Sequence, residues 1–222
     1  MDSKVLRAIE EGVASYASIE NIESAEFLSA LKKSFELDAP FMGKVEAMDA
    51  VFDDFQPFEE LRELAFDLLM INFFAEDVQK LEEDYLESEE WEQIEEDTLD
   101  RGTELLNIFL YLKECADEEI EADLDDYLKE FLLVEEDEFQ DEYRIYEKVI
   151  ANQILVESDY SEIAKISKTV GPMDELHELF YPIVSFFFEQ KPTDEQVASY
   201  SSFASNKAYE TALYQVIVNF NK

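Results

Sequence analysis

Turn-forming residues are scarce in this chain, with only 4 Gly and 5 Pro among 222 residues. A sheet protein of that length joins many short strands through turns, and turns draw on Gly, Pro, Asn and Asp. The dominant acid is Glu, a good helix former, and apolar residues recur three and four apart along most of the chain. The expectation is therefore an all-α fold: a compact bundle of about ten helices with no sheet. Hydrophobic residues make up 47% and aromatic residues 14%, enough apolar area to fold rather than stay disordered. No coil-like stretch is long enough for a convincing linker, so residues 1–222 are read as a single helical domain. A pair of subdomains meeting near residues 87–91 is the alternative.

The periodicity places a first helix over residues 3–16 with Ser3 as its cap, a second over 22–37 and a third over 42–55. Pro57 sits near the start of a long helix. The part of it around Leu68 is apolar nearly all round, as expected of the most buried helix, and the pattern extends through Val78, Leu81 and Tyr85. Residues 89–117 carry another stripe, in which Gly102 marks a break or a close approach. The clearest amphipathic pattern in the middle covers 118–134, with Ile120, Leu124, Tyr127, Leu128 and Phe131 on one face. A further helix is expected over 136–156, with Tyr146, Val149, Ile150 and Ile154 inward, and a short one over 160–167. The loop 168–172 precedes an aromatic segment containing Pro182. Thr193 and Gln196 fit a capping box, and residues 206–220 follow the helical template most closely.

The formal net charge is −39. Residues 76–142 hold 29 acids and 4 bases, and so −25 of that total. Acids in this density repel phosphates, which disfavours direct binding of nucleic acid or of anionic membrane surfaces. They favour solubility and fast, salt-sensitive association with basic partners. Like charges spaced i,i+4 also weaken a helix by a few tenths of a kcal/mol each, roughly. A salt-adapted proteome is a simpler source of acidity, although the abundance of aromatics and the preference for Glu sit awkwardly with it. Apolar runs are far shorter than the roughly 20 residues that span a bilayer. With no secretory pattern at the N-terminus, a cytoplasmic location is expected.

Motifs for chemistry are few. One cysteine, Cys115, leaves no intrachain disulfide and no multi-cysteine metal site; on an apolar stripe with Ile108 and Leu112 it reads as a buried thiol. With four glycines there is no phosphate-cradling loop. The lone His177 lies three residues after Asp174, a spacing that lets one helical face reach a metal, but a dimetal bundle needs a second histidine. A solvated or hydrogen-bonded histidine fits better. Oxygen ligands alone suffice for Mg²⁺, and Glu118-x-x-Glu121 followed by Glu138-x-x-Asp141 repeats formally the Glu-x-x-Glu, Glu-x-x-Asp spacing of MazG-type helical nucleotide pyrophosphohydrolases. On the order of one such match arises by chance in a chain this acidic, and no basic cluster lies nearby for substrate phosphates. No metal and no cofactor are expected, and no family resemblance rests on that spacing.

The leading functional expectation is an acidic helical interaction protein that binds a basic protein partner, in an immunity or inhibitor, DNA-mimic or chaperone-like role. Its candidate contact residues are the acidic runs Glu82, Glu83, Asp84; Glu95, Glu96, Asp97; and Asp123, Asp125, Asp126. The alternative is a Mg²⁺- or Mn²⁺-dependent carboxylate hydrolase built on Glu118, Glu121, Glu138 and Asp141. The aromatic segment 181–188 is expected to be core rather than a ligand pocket. Tyr85, Tyr111, Tyr127, Tyr143 and Tyr146 lie beside acids, and face either a partner or the interior.

Overall fold

The computed structural model describes residues 1–76, 83–132 and 144–222. In chain order the α-helices are α1 (Ser3–Glu20), α2 (Ala25–Phe35), α3 (Phe41–Asp54), α4 (Arg62–Glu76), α5 (Glu83–Leu86), α6 (Glu89–Asp97) and α7 (Leu105–Glu118). They continue as α8 (Leu124–Asp126), α9 (Glu147–Ile150), α10 (Tyr160–Ser167), α11 (Phe180–Phe188), α12 (Asp194–Phe203) and α13 (Lys207–Phe220). Ten of these have eight residues or more, and no strand occurs among the described residues. The fold is all-α. No helix among the described residues is long and apolar enough to cross a membrane.

Two helices are buried nearly all round. In α13, 12 of 14 residues are buried, and in α4, 10 of 15. The interior thus centres on the C-terminal helix as much as on α4, which alone was expected to be central. Helix α1 lies along α13, and Gly12 is the point of closest approach: a Cβ there would run into Val216 Cγ2. The buried apolar side chains join into one cluster reaching from Val5 to Phe220.

Helix ends follow the side chains available to hold free backbone donors. Asp2, not Ser3, caps α1, accepting from the backbone N–H of Lys4 at 2.8 Å and of Val5 at 3.2 Å. Ser88, Asp159 and Asn206 cap α6, α10 and α13, and Thr193 with Gln196 forms the expected capping box of α12. Pro57 lies in a 3₁₀ turn, Gln56–Leu61, that leads into α4.

Two sequence expectations change. Helix α7 ends at Glu118 because Glu119 adopts a left-handed conformation, φ 59°. The stripe expected to start at 118 is instead a loop, the short helix α8 and a π-helical turn, Tyr127–Phe131. Ile120, placed on its inner face by periodicity, is 47% exposed. Of the helix expected over 136–156, residues 133–143 lie outside the described residues. The remainder is α9 and a 3₁₀ turn, Gln153–Glu157, with Ile154 70% exposed. The extension of α4 through Val78 and Leu81 also lies outside the described residues.

Most of the tyrosines are structural. Tyr160, Tyr181, Tyr200 and Tyr214 from α10 to α13 pack together, with Tyr200 stacked between Tyr181 and Tyr214 at 4.3 Å centroid distances. Their hydroxyls are satisfied inside: Tyr160 and Tyr214 share a bond of 2.9 Å, while Tyr181 and Tyr200 donate to backbone carbonyls. Burial raises all four phenols above their ordinary range, so they stay neutral donors. The segment around α11 is core, as expected, with Phe180, Ile183 and Phe186 fully buried.

Candidate functional site

Helix α6 is the most acidic surface element described. Six of its nine residues are acids, Glu89, Glu90, Glu92, Glu95, Glu96 and Asp97, and all six are exposed. Ile94 is its only buried residue, and Trp91 packs on Phe74 at 5.4 Å. None of these acids forms an ion pair among the described residues. The helix is held by an apolar edge and presents carboxylates on its other sides.

The remaining candidate acids divide by local role. Asp123 is half of a structural device, its Oδ1 accepting from the backbone N–H of Asp125 and Asp126 at the start of α8. Asp125 pairs with Lys129 at 2.9 Å, and Asp126 accepts from the Tyr111 hydroxyl at 2.8 Å. Glu82 lies outside the described residues, and Glu83 and Asp84 open α5. Glu118 and Glu121 are both exposed, Glu118 as the last residue of α7 and Glu121 in the loop beyond Glu119. That helix end separates two carboxylates that periodicity had placed one turn apart on a single helix. Glu138 and Asp141 lie outside the described residues.

Tyr111, Tyr127 and Tyr146 are buried, the inward one of the two alternatives for them; Tyr85 is half-buried, and Tyr143 lies outside the described residues. Tyr127 and Tyr146 share a hydroxyl bond of 2.9 Å, and Tyr146 donates to Glu104 Oε2 at 2.9 Å. Asn107 donates to the same oxygen at 2.9 Å. Cys115 is buried, and burial pushes its thiol up, away from nucleophilic use.

Next to the Tyr127–Tyr146–Glu104 hydrogen bonds lies a second arrangement that periodicity did not reveal. A cleft of about 510 Å³ is lined by Gly102, Thr103 and Glu104, by residues 172–175 and 177–179, and by Tyr209 of α13. Residues 173–179 form consecutive turns rather than a helix, so Asp174 and His177 do not share a helical face. Asp174 instead accepts from the Gly171 N–H at 2.6 Å, and His177 Nδ1 donates to the Val170 carbonyl at 3.1 Å. Glu104, Asp174, Glu175 and Glu178 give the cleft four carboxylates. No group of three or more His, Cys, Asp or Glu side chains is placed to hold a metal ion among the described residues.

One wall of the cleft is fixed by carboxylates with a structural task. Arg101 reaches both oxygens of Asp49 at 3.0 Å and both of Glu63 at 3.1 Å. Glu63 also accepts from the Gly102 N–H at 2.7 Å. Asp67, 1% exposed, accepts from the Thr103 N–H at 2.9 Å and from its hydroxyl at 2.5 Å. Burial pushes the Asp67 carboxyl well above the usual range, against the pull of the Thr103 bonds and with help from Glu63 and Glu104. Gly102 stands at φ +82°, and a Cβ there would lie 2.6 Å from Asp67 Oδ1, so the turn needs glycine. The sequence marked Gly102 as a break or a close approach, and it is both.

No family model matches the chain, and no curated protein and no solved structure matches it.

Proposed function

We propose that the protein is a non-catalytic interaction protein that holds a basic protein partner through its acidic surface, with α6 as the main contact element. The observation that carries the proposal is the set of six exposed carboxylates on α6 without a counter-charge among the described residues. Acids that serve the fold in this protein are visibly engaged, as Asp49, Glu63 and Asp67 are. Those on α6 are exposed and hold no partner among the described residues, and their summed field attracts cations at long range. Glu95, Glu96 and Asp97 stand at the α6 C-terminus, where the helix dipole disfavours negative charge. A basic patch docked there would relieve both penalties.

The test is capture of basic proteins from extract on the immobilised full chain, with elution by a salt gradient. Retention should fall steeply between about 0.05 and 0.5 M salt, as charge screening shortens from more than 10 Å to a few Å. A variant carrying Glu95→Gln, Glu96→Gln and Asp97→Asn should release the same partner at lower salt. Retention indifferent to salt, or identical elution from the variant, would remove α6 from the proposal.

A further inference from the structure

We infer that the cleft between residues 102–104, residues 172–179 and α13 is a binding pocket for an arginine side chain presented by a basic partner. The proposal rests on the reading of the protein as a binder of basic proteins, and adds to it a discrete pocket away from α6. Four carboxylates alone would say little. The independent observation is Tyr209, which lines the cleft and is 5% exposed, yet whose hydroxyl makes no hydrogen bond among the described residues. The buried phenols of Tyr111, Tyr127, Tyr146, Tyr160, Tyr181, Tyr200 and Tyr214 all have hydrogen-bond partners. The Tyr209 ring is buried while its hydroxyl oxygen is not enclosed, so the oxygen opens on the cleft, where a ligand atom can take the place of water.

The chemistry of the lining selects the ligand. Burial keeps the Tyr209 phenol protonated, reinforced by the carboxylates of Glu178, Asp67, Glu60 and Glu63. Its oxygen can accept an N–H while the carboxylates take the charge. The acids do not converge on a point, as a metal ion would require. A guanidinium suits carboxylates spread around a cleft because its five donors fan out in a plane. The rim is apolar on one side, with Pro172 exposed and Met173 92% exposed. Such a surface covers the methylene stem of a long cationic side chain while its head reaches inward.

The experiment titrates the full chain with capped arginine (Nα-acetyl-arginine methylamide), capped lysine and polylysine in about 0.15 M salt. Binding is followed by amide chemical shifts. Capped arginine should bind saturably, with shifts centred on residues 102–104 and 172–179. Tyr209→Phe and Glu178→Gln should each weaken it by about fivefold or more, whereas the α6 triple variant should change it by less than about twofold. Tyr209→Phe removes only a hydroxyl that has no partner among the described residues, so the fold is retained and near-ultraviolet dichroism checks it. No saturable binding of capped arginine, or equal affinity in wild type, Tyr209→Phe and Glu178→Gln, overturns the pocket. Capped lysine binding as tightly as capped arginine overturns the guanidinium assignment. Loss of polylysine retention with capped arginine still bound would defeat the broader proposal for α6 and leave the pocket standing.

Discussion

Helices α4 and α6 both present carboxylates, and they use them in opposite ways. On α4, Glu63 and Asp67 turn toward residues 101–103 and hold that segment by its backbone and side chains, with Asp49 of α3 gripping Arg101 from the other side. On α6 no carboxylate holds anything among the described residues. Burial and pairing turn the first group into structure, at the expense of desolvating them. The second group stays exposed to solvent and available to a partner. The net charge of −39 therefore overstates how uniform the acids are: those on α4 define the fold, and those on α6 contribute to the field around it.

The comparison breaks most easily at Gly102. Gly102→Ala forces a side chain into a left-handed position and against Asp67 Oδ1. The two penalties together should cost about 3 kcal/mol or more, read as a drop in the urea midpoint. A loss under about 1 kcal/mol would mean that residues 101–103 are not held as described. Arg101→Ala ranks next. It removes ion pairs to Asp49 and Glu63 and a cation–π contact over Phe66 at 4.8 Å. Both ion pairs are partly exposed and Arg62 still neutralises Asp49, so the expected cost is about 1–2 kcal/mol.

Asp67 sharpens the comparison through pH. A carboxyl raised in the folded state binds its proton more tightly there than in the unfolded chain. It supports the fold at pH values below its ordinary range, near 3.8, and that support is lost as pH rises toward the folded value. The groups facing it are Thr103 and the carboxylates of Glu63 and Glu104, with the Tyr209 phenol on α13. Asp67→Asn mimics the protonated form, since the amide can accept from the Thr103 N–H and donate to its hydroxyl oxygen. Urea midpoints for wild type and Asp67→Asn should lie close together near pH 4. They should separate as pH rises toward 8, with the variant the more stable. Parallel curves would show that Asp67 ionises as freely in the fold as outside it.

How far these features were legible follows from how local they are. The breaks at Gly102 and before Thr193, the helix of residues 160–167 and the buried final helix all rest on short-range signals. Glu119 was illegible because a glutamate in the left-handed region carries no mark, unlike a glycine. Periodicity ran through it and placed Ile120 inward. The cleft was illegible for another reason. Glu104, Glu178 and Tyr209 come from three distant segments, and Tyr209 belongs to a helix whose apolar spacing explained it completely. Only its hydroxyl, open to the cleft and without a protein partner among the described residues, sets it apart, and no sequence pattern encodes that. His177 and Asp174 drew attention for a metal spacing that the turns of 173–179 dissolve, yet they stand in the cleft all the same.

The smallest stability effect is expected at the end of α6, and its sign is what matters. Glu95, Glu96 and Asp97 occupy the last turn, where the helix dipole repels them, and no basic residue shares that turn. Glu92 lies four residues from Glu96 and three from Glu95, so their charges also repel along the helix. Neutralising the three with Glu95→Gln, Glu96→Gln and Asp97→Asn should therefore raise stability, by about 0.5 kcal/mol at low salt. The gain should vanish near 1 M salt, where screening acts within about 3 Å. A loss of stability instead would show that these acids hold some part of the chain, and α6 would then belong with α4. A gain that coincides with weaker retention of basic partners would show acids kept against the preference of their own helix.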